Sequence, residues 1–597
     1  MSKPSPGGVA HSRRPAAPRT AWIAALVLLG AWTAGEAWLL PERWVNPDEG
    51  AHAMDARLAA EGLIPLVDYK SRPPLYVYAY VPFLRGGAPD YLDARRMPLL
   101  ATVLGALALC GIGRRLAGWP TGLSAALLYL LSPTVLIDAP VVKTEPLTIL
   151  LTTLGMAAVV AHLDRGRWWT LALGGVAFGA GYYVRESSLG GVAAAGLVIL
   201  AHSTPDGWRR TLGRIAVLGA GHAAVCAAVF AFYSRYLPLG RVLGDRWFSP
   251  LFFLVESVQG VAGRWTPSAA VAVPAEDPVQ SWATILGNVR EVMLLNAHLV
   301  AALALAVLVW IGLTRRGRAE PGEQRGFVVA VSWAACVAAA YAHYAAAESF
   351  YQFYFRELVA PLALSTALLL RRLAGQRRDA GLWLTSAGVA AGLGLTALQR
   401  IRPAPSVVYA LLLIAAAGWL AFRRPVSAGA LARFAGLAVL GTALAISAKN
   451  AARLLSPAYD CVWSPETVRT VAGIVRQHSS AGDEVLSGAV IWEFEADRHP
   501  FMRISHPLQF EKRVHATWAR KVSERLAAAP PRVVVLDGYT ERTYLRCFPQ
   551  LRAALATRYA PAGDPVTGSR HPVQVYVLRE PGPPARSPGF RRGGDRR

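Results

Sequence analysis

Two adjacent carboxylates, Asp48 and Glu49, follow directly on an apolar block in the stretch "WVNPDEGAHAMDARLAAEGLIP". A carboxylate at a membrane surface can accept a proton from an attacking hydroxyl group, which is the task of a general base. The same residues also suit a helix start, because Asn46 can cap the helix, Pro47 fits its first position and Glu49 stands three residues after the cap. The sequence leaves capping and catalysis open, and the two roles are compatible.

A cationic and aromatic segment comes next, in "DYKSRPPLYVYAYVPFL". Lys70 and Arg72 precede a double proline and several tyrosines. Cations beside aromatic residues are common membrane anchors. Lys and Arg near a carboxylate are also what a phosphate headgroup needs. Both interpretations remain open for this segment.

Three more segments carry charged or aromatic side chains that should reach the same membrane surface. Placing an ionisable group at or inside a membrane interface costs free energy unless the group is paired with another charge or takes part in function. Charge pairs without a further role remain an alternative for each segment. The residues are Lys143 and Glu145 in "LIDAPVVKTEPLTILL", Arg185 and Glu186 in "GAGYYVRESSLG", and Tyr354 and Arg356 in "FYQFYFRELVAPL".

The elements that position these residues are apolar blocks of about 18–25 residues, the length of a helix that spans a bilayer. With 597 residues and 54% hydrophobic content, the chain is expected to be an α-helical polytopic membrane protein with about thirteen transmembrane helices. The first block lacks a signal-peptidase site, so it is not expected to be a cleaved signal peptide. The blocks are 20–41, 97–113, 119–137, 144–162, 169–185, 188–203, 213–236, 292–314, 327–346, 350–370, 381–398, 406–422 and 428–448.

Basic residues in alternate loops predict the orientation. The N-terminal tail, residues 1–19, is basic, and so is every second loop after it. This places the N-terminus in the cytoplasm and the outer loops 46–95 and 237–290 on the other side, in what the Ala/Arg/Gly-rich composition suggests is a bacterial inner membrane. The net charge of +24 is then partly a topology signal. No basic and aromatic face that would bind nucleic acid stands out.

The pattern changes from about residue 455. "DEVLSGAVIW", "PRVVVLDGY" and "HPVQVYVLRE" are typical of strands, with three helical segments between them. A small extracytoplasmic α/β domain is therefore expected over 455–580, followed by a disordered basic tail over 581–597. Cys461 and Cys547 lie in this domain, where a disulfide between them can persist, and we expect one.

The combination of the acidic pair, "KSRPPLYVY", "KTEPLTILL" and "FYQFYFRELVAPL" resembles the polytopic GT-C glycosyltransferases over roughly residues 20–450. It is most similar to the bacterial group of the dolichyl-phosphate-mannose–protein mannosyltransferases and the lipid A aminoarabinose transferase. The resemblance implies transfer of a sugar, with inversion, from a polyprenyl-phosphate carrier to a lipid, glycan or protein acceptor on the outer face.

The resemblance also implies roles for individual residues. Asp48 would be the catalytic carboxylate with Glu49 as its motif partner, and Glu145 falls where many relatives have Asp. Arg72 and Arg356 match positions near the carrier phosphate, and the other candidate substrate ligands are Lys70, Lys143, Arg185, Glu186 and Tyr354. Some relatives have Glu where this chain has Ser71, so no metal ligands are assigned. A divalent metal stays open, with His52 and His343 as speculative ligands.

Two other classes compete with a transferase. Charged residues in a membrane often line the pathway of a transporter or a lipid-binding protein. However, most charges here cluster at the outer interface, and the inverted repeat common in transporters is not evident. In the second alternative, the catalytic core has degenerated and the exported domain is a binding module.

Overall fold

The structure is a computed structural model of the protein, and it describes eleven stretches of the chain. They are residues 19–69, 71–84, 90–203, 207–244, 248–250, 255, 282–315, 321–347, 352–374, 461–507 and 516–579. The terminal segments predicted as basic tails thus lie almost entirely outside the described residues, as does most of the loop 237–290.

A helical bundle forms the first part of the chain. Its helices begin where Pro, Gly or a capping side chain stops the preceding segment, as at Asn46 and Asp90. They are α1 Arg19–Leu39, α2 Pro47–Ala60, α3 Pro74–Tyr80, α4 Tyr91–Ala117, α5 Trp119–Leu130, α6 Pro133–Asp138, α7 Glu145–Arg165, α8 Trp168–Tyr182, α9 Leu189–Ser203, α10 Trp208–Tyr233, α11 Leu239–Leu243, α12 Trp282–Leu295, α13 Ala297–Arg315, α14 Pro321–Ala347 and α15 Arg356–Ala374.

The bundle is that of a membrane protein. Within the described residues, four helical stretches are long and apolar enough to cross a bilayer, or five if α12 and α13 form one bent span. Every apolar block predicted up to residue 370 coincides with helix. The blocks 381–398, 406–422 and 428–448 lie outside the described residues, so the total of thirteen stays a prediction.

The predicted blocks 119–137 and 292–314 do not correspond to single straight helices. The first is divided between α5 and α6 at Ser132, because the following proline starts a new helix. In the second, α12 and α13 meet at 82° around the buried Asn296. The Asn296 side chain accepts a hydrogen bond from Ser132 Oγ at 2.9 Å and donates one to Thr134 Oγ1 at 2.7 Å. The polar side chains at these two helix breaks therefore form hydrogen bonds with each other inside the bundle.

A small mixed sheet with flanking helices forms the C-terminal region. The strand order is β2-β1-β3-β5-β4, in which β1 is parallel to β2 and β3, and β5 is antiparallel to β3 and β4. The strands are β1 Glu484–Leu486, β2 His499–Pro500, β3 Val533–Leu536, β4 Tyr559–Pro561 and β5 Gln574–Leu578, and the helices are α16 Pro465–His478, α17 Ile491–Ala496, α18 Ala516–Ala528 and α19 Pro549–Arg558.

The α/β fold predicted for this region is confirmed, with differences at its edges. The first predicted strand ends at Leu486, and its last two residues, Ile491 and Trp492, begin α17. Strands β2 and β4 were not predicted, because two or three residues are too few to show an alternating pattern.

The α/β region packs directly on the helix that carries the acidic pair. Val45 N donates to Trp463 O at 2.8 Å, and Val462 N donates to Val45 O at 3.0 Å. A Cβ atom on Gly50 would lie 2.2 Å from Ile491 N, so only glycine allows α2 and α17 to approach this closely. One hydrophobic core therefore joins the first outer loop to the sheet.

The predicted disulfide is absent, since Cys461 and Cys547 are not bonded to each other. Cys461 precedes Trp463 in the core shared with α2, whereas Cys547 packs against the cluster around Phe501 and Tyr544 on the other face of the sheet. The sheet separates the two thiols, and sequence spacing alone could not reveal this.

Candidate active site

Helix α2 begins with a capping box. Asp48 N donates to Asn46 Oδ1 at 3.0 Å, and Asn46 N donates to Glu49 Oε1 at 2.9 Å, with Pro47 in the first turn. The capping interpretation of this stretch is therefore confirmed. Asn46 and Glu49 supply the capping side chains, so the Asp48 carboxylate is not needed to cap the helix.

The Glu49 carboxylate is also engaged by Arg95 of α4. Arg95 donates from Nε to Glu49 Oε2 at 2.8 Å and from a terminal nitrogen to Oε1 at 2.7 Å, and both side chains are at most 1% exposed. Val142 N donates to Oε2 at 3.2 Å. Arg95 donates as well to the carbonyls of Leu40 and Trp44. Glu49 thus fixes the start of α2 against the bundle.

Asp48 points elsewhere. Its side chain is half-buried, and its charge acts on Arg72, in the segment between α2 and α3, and on Tyr539 after β3. Burial lowers the pKa of Arg72, but the Asp48 carboxylate together with Tyr76 and Tyr354 keeps that pKa above its ordinary value. Arg72 therefore remains charged beside Asp48. Burial, with the Asp48 charge as a further cause, raises the pKa of Tyr539 to about 12.

Three of the predicted cations converge on His52, one helical turn beyond Asp48. The His52 ring is 2% exposed. Burial, the neighbouring His506 and the charges of three cations lower the pKa of His52 well below its ordinary value, so the imidazole is neutral. The three cations are Arg72, Lys143 and Arg185. The site therefore concentrates positive charge next to Asp48.

Arg185 is balanced by acids from two helices. It pairs with Glu145 at the start of α7, and its Nε lies 3.7 Å from Glu357 of α15. Its guanidinium also lies 4.5 Å from the centre of the Tyr354 ring, a cation–π contact. Ser187 Oγ donates to Glu357 at 2.8 Å. Glu145 is 3% exposed and bound to a cation, which makes it a poor proton acceptor.

Arg356 lies inside the bundle. It is fully buried, and it donates to Asp138 O at 2.8 Å and to Thr102 Oγ1 at 3.0 Å. These contacts connect Arg356 to α4 and α6, and its part in phosphate binding stays a prediction. Glu186 is buried in the turn between α8 and α9, and Lys70 lies outside the described residues.

Sequence reasoning missed a buried cluster around Asp55. Asp55 Oδ2 accepts from Ser71 Oγ at 2.8 Å, from the Tyr76 hydroxyl and from His506 Nε2 at 2.8 Å. Tyr69 donates to the Asp55 carbonyl at 2.7 Å. An Asp three residues after a His on one helix was the available signal, but its partner in the C-terminal region is 451 residues away.

In the described part of the chain, no three His, Cys, Asp or Glu side chains are arranged to hold a metal ion. Ser71, which stands where some relatives have Glu, is hydrogen-bonded to Asp55. A metal at this site has no support in the described residues.

The sequence and the fold match known proteins. A family model described as dolichyl-phosphate-mannose-protein mannosyltransferase matches residues 71–233, the segment that carries Arg72, Lys143, Glu145 and Arg185. The structure of ArnT from Cupriavidus metallidurans in the apo state is similar, with a TM-score of 0.50 and 17% identity over 94% of this chain and 98% of that chain. The chain therefore has the fold of ArnT, and its residues 71–233 match the dolichyl-phosphate-mannose-protein mannosyltransferase family.

Two further solved structures and a comparison with curated proteins complete these findings. ArnT bound to undecaprenyl phosphate aligns with this glycosyltransferase at a TM-score of 0.52 and 16% identity, over 94% of this chain and 98% of that chain. The apo oligosaccharyltransferase of Archaeoglobus fulgidus matches at 0.47 and 14% identity, over 90% of this chain and 73% of that chain. Comparison with curated proteins finds no match. The predicted GT-C fold and transferase class are confirmed.

Proposed function

We propose that this glycosyltransferase moves a sugar from a polyprenyl-phosphate carrier to an acceptor hydroxyl at the outer face of the membrane. The observation that carries the proposal is the electrostatic interaction of a half-buried carboxylate, Asp48, with a charged arginine, Arg72. A displacement at an anomeric carbon requires both groups, a base for the acceptor and a cation for the departing phosphate.

The role of general base falls to Asp48 because the neighbouring acids are engaged. Glu49 is bound by Arg95, Glu145 by Arg185, and Asp55 by three donors, and all three acids are at most 3% exposed. Asp48 is only half-buried, on the first turn of a capped helix. A proton acceptor must be reachable by the substrate, and among these four acids Asp48 is the accessible one.

The carrier phosphate fits the cations around His52. Arg72 is partly exposed and can contact phosphate oxygens directly, while the buried Lys143 and Arg185 add positive charge nearby, with Arg185 paired to Glu145 and stacked on Tyr354. A neutral His52 among these cations adds no repulsion to their positive charge. Because ArnT has been solved with undecaprenyl phosphate, a polyprenyl phosphate is the donor class that this fold supports best.

The reaction is then a single displacement. Asp48 takes the proton from the acceptor hydroxyl while the oxygen attacks the anomeric carbon. The bond between that carbon and the phosphate oxygen breaks, and the phosphate leaves with the bonding electrons. Arg72 and Lys143 stabilise the charge that develops on the phosphate. One displacement inverts the anomeric configuration and needs no nucleophilic side chain.

The proposal is tested by supplying donor and acceptor together. Membranes from a strain that lacks the protein provide acceptors, and the purified protein is added with undecaprenyl phosphate carrying radiolabelled hexoses or pentoses. We expect release of undecaprenyl phosphate and transfer of label to an acceptor with inverted configuration, with one sugar preferred. Absence of both release and transfer for every donor would overturn the proposal. A product with retained configuration would overturn the single displacement.

A further inference from the structure

The buried Asp55 carboxylate connects three separate parts of the chain. Asp55 lies on α2, Ser71 and Tyr76 lie in the first outer loop and at α3, and His506 comes from the C-terminal region. All four side chains are at most 5% exposed. Because one carboxylate oxygen accepts from Ser71, Tyr76 and His506, a shift of any one of them affects the others.

The loop held by this carboxylate is the one that carries Arg72. Ser71 immediately precedes Arg72, and Tyr76 follows four residues later, so both flanks of the cation are bonded to Asp55. Leu75 N also donates to Tyr183 O at 2.9 Å, which fixes the same loop to the turn before Arg185. The direction of the Arg72 side chain therefore depends on where Asp55 is held.

His506 donates to the Oδ2 atom of that carboxylate from outside the bundle. Its Nε2 lies 2.8 Å from Asp55 Oδ2, and its ring lies 5.3 Å from that of His52 between centres. A buried carboxylate that loses one of its donors is strongly destabilised and seeks other partners. Loss of His506 would leave Asp55 to reorganise, together with Ser71 and Tyr76.

We infer that His506 is a positioning residue for the donor phosphate, acting through Asp55 on Arg72. The C-terminal region is then part of the donor site, although His506 itself does not touch the substrate. This inference rests on the proposed function, because it takes Arg72 as a ligand of the carrier phosphate.

A second histidine provides a matched control. His499 also comes from the C-terminal region and faces α2, with Nε2 3.7 Å from Glu61 Oε2. That pair is about one-third exposed and lies at the far end of α2 from Asp48. Replacing His499 therefore removes a contact of the same type between the same elements without affecting the Asp55 cluster.

The experiment measures the affinity of the full-length purified protein for undecaprenyl phosphate in detergent. We expect His506→Ala to weaken binding roughly 5–10-fold, since it removes one hydrogen bond to a charged group, and His506→Gln to recover part of the loss. Arg72→Ala should weaken it roughly 10–150-fold. His499→Ala should bind like the wild type.

A double-mutant cycle separates positioning from general damage to the fold. If His506 acts through Arg72, His506→Ala causes little further loss in an Arg72→Ala background. Where His506→Ala does not elute as a single species, Tyr76→Phe removes another donor to Asp55 and takes its place in the cycle. The KM for the donor should rise in both variants, with the KM for the acceptor unchanged.

The outcomes distinguish this inference from the proposed function. Wild-type protein that does not bind undecaprenyl phosphate would overturn the proposed function, and the inference with it. Weaker binding by Arg72→Ala together with unchanged binding by His506→Ala and Tyr76→Phe would overturn the inference alone. The inference would also be overturned if the losses in binding free energy of His506→Ala and Arg72→Ala were fully additive in the double variant.

Discussion

Asp48 and Glu49 are adjacent in sequence, but their carboxylates lie in different environments. Glu49 is fully buried and held by two hydrogen bonds from Arg95, whereas Asp48 is half-buried and interacts electrostatically with Arg72. The pair therefore divides two tasks, with one acid fixing the helix and the other available to a substrate. This division leads to opposite expectations for two conservative variants.

Glu49→Gln is expected to destabilise the protein. It leaves Arg95 as an uncompensated buried charge, and breaking a buried ion pair in this way costs about 3–5 kcal/mol. Thermal unfolding of the purified variant should therefore begin several degrees below that of the wild type, with donor affinity lost only as the protein unfolds. A variant with wild-type stability and no turnover would instead give Glu49 a direct part in the reaction.

Arg72 and Arg356 should differ in what their removal changes. Arg72→Ala is expected to weaken undecaprenyl phosphate binding roughly 10–150-fold, because a charge-assisted contact is lost, while unfolding stays near that of the wild type. Arg356→Ala should mainly lower stability, since it leaves Asp138 O and Thr102 without their donor. Equal effects of both variants on binding, at unchanged stability, would place Arg356 in the phosphate site.

The stability of the C-terminal region should fall as the pH rises. Burial, with the charge of the nearby Asp537 as a smaller cause, raises the pKa of Glu493 from 4.5 to about 8. The folded state then holds a proton that the unfolded chain releases, so stability decreases between about pH 4.5 and pH 8 and levels off above that. Glu493→Gln should flatten this dependence in thermal unfolding of the full chain.

The exposed Glu466 serves as the control for that measurement. Glu466→Gln should leave the pH dependence unchanged. A Glu493→Gln variant that loses stability with pH as steeply as the wild type would show that Glu493 is not the titrating group.

The orientation of the chain is open to a direct test. Basic alternate loops predict that position 375 is cytoplasmic and position 455 is outside. A reporter that is active only outside the cytoplasm should therefore be active when fused after residue 455 and inactive after residue 375. The reverse pattern would place the Asp48 side in the cytoplasm and contradict the proposed outer-face reaction.

Local patterns predicted much of the architecture. Apolar blocks gave the helices up to residue 370, and the capping signature gave the contacts of Asn46 and Glu49, because both depend on neighbouring residues. The strands β1, β3 and β5 were also predicted. Interactions between distant residues were not visible in the sequence.

Three particular contacts show this limit. Arg95 could be noticed as a charge beside an apolar block, but its pairing with Glu49 depends on how α4 packs. His506 meets Asp55 across 451 residues, and no local pattern connects them. The prediction of a disulfide was wrong for the same reason, since the sheet that separates Cys461 from Cys547 is a tertiary feature.

The most direct test of the catalytic assignment is turnover by Asp48→Asn with saturating donor. Asparagine keeps the size of the side chain but cannot accept the acceptor's proton. We expect turnover to fall about a hundredfold or more, with donor affinity and unfolding close to those of the wild type. Asp90→Asn is the matched control, because Asp90 caps α4 through its side chain and Asn caps equally well. If Asp48→Asn retains most of its turnover while Asp90→Asn is unaffected, Asp48 is not the base and the account is contradicted.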